Sequence, residues 1–143
     1  MRAIKIFCVL AWAGAGSPAW ADLCHDVMKL GAHNDQMVLD LPSGGPAEKC
    51  TRSLMLSGDV QTHCRWAFPY RAQAATQAFE ALNVAISRCL GPTARMTSDP
   101  DVNHPDFYDL QIFQFGDQEI GISLKNKAAL SQTFVFVRVT ASQ

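Results

Sequence analysis

Four histidines follow residue 21: His25, His33, His63 and His104. None stands four residues from another, the spacing at which one helix face presents two metal ligands. A zinc site would have to gather them from separate segments, so the pattern points to no metal and no cofactor. Asp99, Asp101 and Asn103 place oxygens at positions 1, 3 and 5 of a calcium loop. The same register puts His104 where that loop needs glycine and Leu110 where it needs a bidentate glutamate. An ordinary solvated acidic loop is the better reading. The G-x-S-x-G elbow, the H-E-x-x-H pair, the phosphate-binding P-loop and the Rossmann glycines are all missing. A hydrolase would therefore need an unfamiliar site, with His104 and Asp106 as its members.

Two stretches have the chemistry of recognition. Residues 65–71 interleave Arg65 and Arg71 with Trp66, Phe68 and Tyr70. Strand alternation turns Trp66 and Phe68 to one face, as core, and Arg65 to the other. Tyr70 and Arg71 fall where the strand gives way to a helix, whose first N–H groups and dipole favour an anion. Residues 91–106 form a sixteen-residue connection, long for a compact domain. Its acids Asp99, Asp101 and Asp106 oppose only Arg95, and Pro92, Pro100 and Pro105 stiffen it. Tyr70, Arg71, Asp99, Asp101, His104 and Asp106 are thus the candidate binding residues. Lys125 and Lys127, in a turn between the last two strands, could meet an acidic partner, but solubilising lysines are the better reading.

The elements that would hold these residues follow from periodicity. From Arg71 to Leu90, the apolar positions Ala75, Ala78, Phe79, Leu82, Ala85, Ile86, Cys89 and Leu90 repeat at helical spacing, and Gly91-Pro92 ends the run. A shorter helix begins at Asp22, with Leu23, Val27 and Leu30 on one side. Residues 53–57, 63–70, 107–115, 119–125 and 133–140 read as strands, and residues 41–46 as a loop. The order gives an α+β domain: an antiparallel sheet of about five strands, one long amphipathic helix packed on it, and a short N-terminal helix. A β-barrel with one helix is the rival.

Length and composition set the compartment. The chain has 143 residues. Arg2 and Lys5 precede the ten apolar residues 6–15, and Ala19-Trp20-Ala21 supplies the small-x-small cleavage pattern. Residues 1–21 read as a signal peptide, and residues 22–143 as a single domain beginning at Asp22. Asp22 and Leu23 before Cys24 do not fit a lipoprotein. No later run is long enough to span a bilayer. The whole chain has 12 basic and 13 acidic residues. Losing Arg2 and Lys5 leaves 10 against 13, a charge of −3, which does not suit nucleic acid.

Cys8 leaves with the leader, and Cys24, Cys50, Cys64 and Cys89 form an even set with no C-x-x-C. In an oxidising compartment, two disulfides follow. A helix running back across the strand that feeds it brings Cys89 towards Cys64, leaving Cys24 for Cys50. These features describe a periplasmic or secreted, non-catalytic binding module that recognises another protein, for example as an inhibitor. A small-ligand carrier, its pocket lined by Trp66, Phe68, Phe79 and Phe113, is the alternative.

Overall fold

The computed structural model describes residues 19–31, 39–41, 45–99 and 108–141. Helix α1 (Ala19–Leu30) is followed by a small ribbon of β1 (Asp40–Leu41) and β2 (Gly45–Pro46). A hairpin of β3 (Lys49–Leu54) and β4 (Val60–Pro69) leads into α2 (Gln73–Leu90). Then come β5 (Arg95–Ser98), β6 (Tyr108–Phe115), β7 (Gln118–Lys127) and β8 (Gln132–Ala141). Six strands form one antiparallel sheet in the order β3-β4-β8-β7-β6-β5. The chain thus has the α+β architecture its periodicity implies, with one strand more than expected.

Helix α2 carries the chain from β4 to the far edge of the sheet, and the strands then meander back until β8 closes against β4. Both long pairings of β8, with β4 and with β7, run for ten residues. Burial explains why this arrangement holds. The apolar stripe of α2 and residues Leu23, Val27 and Leu30 of α1 pack on Cys64 and Trp66 of β4, Val135, Val137 and Val139 of β8, and Ile120, Ile122 and Leu124 of β7. Alanines at 75, 78 and 85 are fully or almost fully buried, and so short a side chain lets the helix lie close to the sheet. Gly91 ends α2 at φ 66°, where its N–H reaches the Ser87 carbonyl oxygen. Glycine enters that left-handed region without a Cβ penalty.

Four local readings change. The first hairpin strand is Lys49–Leu54, not residues 53–57, so its turn spans residues 55–59. The connection after α2 is not a continuous loop: it contains a 3₁₀ turn (Gly91–Thr93) and then edge strand β5. Residues 125–127 are the end of β7, not a turn, and Asn126 is buried there. Residues 41–46, read as a loop, begin and end in the small β1–β2 ribbon.

The disulfide pairing also departs from expectation. All four cysteines are bridged, but as Cys24–Cys89 and Cys50–Cys64 rather than Cys64–Cys89 and Cys24–Cys50. The shifted hairpin is the cause. With β3 beginning at Lys49, Cys50 lies directly opposite Cys64, their Cα atoms 4.0 Å apart. The short helix α1 packs beside α2 and brings Cys24 to within 6.1 Å of Cys89, Cα to Cα.

Candidate functional site

The strand-to-helix junction comes first, because the sequence points there. Arg71 adopts φ 55°, a left-handed conformation that an arginine enters only when its surroundings hold it there. Its N–H donates to Thr133 Oγ1 at 2.8 Å, and the Thr133 hydroxyl donates in turn to Asn126 Oδ1 at 2.7 Å. Thr133 and Asn126 are both buried. The Arg71 guanidinium lies 5.1 Å from the centre of the Tyr70 ring. The first turn of α2 has no side-chain cap, since Ala72 precedes it. A cleft of about 320 Å³ opens here, between Arg71, Ala72, Thr76, Leu124, Asn126 and Thr133. Its polar chain of hydrogen bonds is spent on closing the turn.

Thr133→Val tests that role. It would orphan the Arg71 N–H and deprive Asn126 of its donor, at a cost of about 1–3 kcal/mol. Urea denaturation should show that loss. Stability equal to the parent chain would mean that the hydroxyl does not hold the junction.

Asp99 lies exposed just beyond β5, its N–H on the Leu110 carbonyl oxygen at 3.0 Å. Asp101, His104 and Asp106 lie outside the described residues, as does the calcium-like stretch beyond Asp99. Among the described residues, no three His, Cys, Asp or Glu side chains gather as metal ligands. Trp66, Phe79 and Phe113 are buried together in the core with Phe68 against them.

The sheet face turned away from both helices is the site that the sequence reading missed. Alternation places Lys49 on β3, His63 and Arg65 on β4, Phe134, Phe136 and Arg138 on β8, Lys125 and Lys127 on β7, Tyr108 on β6 and Arg95 on β5. Among the strand residues of this face, Glu119 is the one carboxylate, and Arg138 Nη2 holds its Oε1 at 2.6 Å. Six Lys and Arg against one paired acid make the face strongly positive, although the chain is weakly acidic as a whole. Glu48, at the sheet edge, contacts Arg65 at 2.9 Å.

Aromatic rings floor this face, and cations sheathe them. Arg65 lies 5.3 Å from the Phe134 ring centre, and Lys125 lies 4.7 Å from Tyr108 and 5.5 Å from Phe136. His63 stacks on Phe136 at 4.9 Å. Such contacts hold cations in place through the ring quadrupole. Phe134 remains only 6% exposed despite facing away from the core. Burial, and then the cations Lys125, Arg138 and Arg65, push the His63 pKa below its ordinary 6.5. Burial chiefly, then Lys127 and Arg138, pushes Lys125 below its ordinary range. Both shifts come first from burial, with the neighbouring cations adding to it. The sign for stability follows. The folded chain resists protonating His63, so His63's contribution is present above pH 6.5 and is lost as the pH falls through and below that value.

A second exposed feature stands at the tip of the β3–β4 hairpin. Leu54, Met55 and Leu56 are consecutive and exposed, Leu56 completely. Isolated apolar residues at a surface need no explanation, but three in a row at a projecting turn do.

Single-sequence alternation could have placed His63 and Arg65 on this face. It could not have brought Lys125 and Arg138 to them, because that requires the strand order. Comparison with protein-family models, with curated proteins and with solved structures gives no match, so the function must be argued from this face and its surroundings.

Proposed function

We propose that the chain is an exported, non-catalytic binding module that recognises another protein, and that the helix-free sheet face docks an acidic segment of that partner. The observation that carries this reading is the charge of the face: six cations, with Arg138 paired to Glu119 and Arg65 to Glu48 at the edge. Complementary charge steers and orients such a partner. The sheathed rings argue against two other polyanions. Phe134 offers no open face on which a base could stack, and the rings do not project as bilayer wedges would. The apolar tip of Leu54, Met55 and Leu56 favours a protein over a free anion, since only a macromolecule could cover both surfaces.

Export to the periplasm or the medium is part of the same proposal. It is supported by the basic-apolar-small pattern of residues 1–21 and by two disulfides. Among the described residues no helix is long and apolar enough to cross a membrane. Cleavage after Ala21 would leave intact the buried residues of α1, which are Leu23, Cys24, Val27 and Leu30.

The test is affinity capture with the oxidised chain beginning at Asp22, from its own periplasm or medium, at low and at high salt. The parent chain should retain a protein that salt releases. A variant carrying Arg65→Gln, Lys125→Gln and Arg138→Gln, shown by circular dichroism to be folded, should retain at least tenfold less. Equal capture by the folded triple variant would overturn the face as the docking surface. Binding to phosphatidylglycerol vesicles, with no protein captured, would replace the protein partner by a membrane.

A further inference from the structure

The positive face is not flat. Its central strand β7 carries Gly121 and Ser123 where its neighbours carry large side chains, and a cavity of about 120 Å³ opens above them. Lys125, Arg138, His63, Tyr108 and Phe136 stand around it. Gly121 is directly opposite Arg138 in the β7–β8 register. The Arg138 guanidinium lies over the glycine, so that a Cβ there would meet Nε and Nη2 at 3.4 Å. Its Nη2 is engaged by Glu119, whereas its Nε is buried with no hydrogen-bond partner. A buried donor left unsatisfied is costly, and this one belongs to a cation beside Lys125 and His63. Two small residues thus make room, and the Arg138 guanidinium, with one donor unused, borders the space.

We propose that this cavity is a carboxylate site, which seats one aspartate or glutamate side chain of the partner between Lys125 and Arg138. The inference rests on the acidic-partner reading and sharpens it from a charged surface to one anchoring point. The size suits a carboxylate with its methylene, and the flanking Tyr108 and Phe136 rings suit the methylene. The carboxylate accepts from the Lys125 ammonium and from the Arg138 guanidinium. Charge-assisted bonds of this kind are the strong ones, and the partly desolvated setting raises their weight over that of open surface pairs.

Protonation should be coupled to this binding. The groups facing His63 are Arg65 on its own strand, Arg138 on β8, Lys125 on β7, and Tyr108 on β6, while β3 opposes it with Thr51. A seated carboxylate offsets those cations, so the bound state binds a proton at His63 more readily than the free state. Affinity should therefore rise as the pH falls from neutral towards mild acid, for as long as the ligand carboxylate stays ionised.

The probe is a capped ten-residue peptide of alternating Glu and Gly, with its Gln analogue as control, titrated into the oxidised chain and followed by backbone amide shifts. The Glu peptide should move the amides of Gly121, Ser123, Lys125 and Arg138 saturably, and the Gln peptide should not. Lys125→Gln should weaken binding about tenfold. Lys49→Gln, which removes the same charge from the edge strand of the same face, should weaken it about twofold. Gly121→Ala, which adds one methyl in the cavity floor at ordinary extended backbone, should weaken it several-fold at unchanged net charge. His63→Gln should abolish the rise in affinity at lower pH. Equal losses for Lys125→Gln and Lys49→Gln, with none for Gly121→Ala, would overturn the carboxylate site and leave the acidic-partner reading standing. A Glu peptide that binds no better than its Gln analogue would overturn the site as well. The acidic-partner reading itself fails separately, by undiminished capture with the triple variant.

Discussion

A chain carrying Cys24→Ser and Cys89→Ser should lose about 4 kcal/mol of stability, the larger of the two disulfide effects. The bridge joins residues 65 apart in sequence, and in the chain-entropy account a loop of that length restricts the unfolded state by about 4 kcal/mol. Cys50–Cys64 spans only 14 residues and should contribute about 3 kcal/mol by the same reasoning. The two pairs also differ in what they hold. Cys50–Cys64 ties neighbouring strands that already share a ladder, whereas Cys24–Cys89 ties α1 to α2. Removing it should loosen α1 preferentially, since the sheet makes most of the remaining contacts. For a domain of this size, the melting temperature should fall by roughly 15 °C. Urea denaturation followed by circular dichroism measures the loss, and non-reducing peptide mapping checks its premise. Recovery of a peptide joining Cys64 to Cys89 would show the hairpin register to be wrong.

Trp66→Ala should cost a similar amount, about 3–5 kcal/mol. Trp66 is 2% exposed, in the middle of β4, opposite Val135 of β8 and within the core beneath the helices. Its indole N–H donates to the Gly45 carbonyl oxygen at 3.2 Å. The substitution would thus open a cavity and release the β1–β2 ribbon together. Trp66→Phe keeps most of the volume and loses only the hydrogen bond, so its cost should stay near 1–2 kcal/mol. The pair of variants separates structure from recognition. Should Trp66→Phe hold its stability but lose the captured partner, the ring would belong to the binding surface and not to the core. In the chain starting at Asp22, Trp66 is the one tryptophan, and its fluorescence follows unfolding of the core directly.

The two cases show what local pattern reveals. Trp66 could be assigned to the core from Cys64, Trp66 and Phe68 alternating with His63, Arg65 and Ala67, because a strand's period of two fixes the face of every residue in it. The helix was equally plain, since its apolar stripe repeats from Ala75 to Leu90 and a glycine stops it. Even the number of bridges followed from the even set of four cysteines after residue 21. Their partners did not, because pairing depends on register, and the hairpin's first strand, Lys49–Leu54, lies several residues ahead of the 53–57 that its residue types suggest. A shift of that size decides whether Cys50 faces Cys64 or lies beyond it.

The candidate site shows the same boundary more sharply. Alternation alone puts His63, Lys125, Phe136 and Arg138 each on one side of its own strand. Which strands lie side by side is set by backbone hydrogen bonds that every residue can make, so side-chain type leaves little trace of the choice. Only burial of the helix-facing residues, satisfied when β8 sits between β4 and β7, selects that order. It brings His63 opposite Arg138 and Arg138 opposite Gly121, joining segments some 75 and 17 positions apart in the chain. The sequence by itself determined the faces, the helices and the number of paired cysteines; the tertiary structure alone decided the neighbours, because charge gathers across strands while periodicity is written along them.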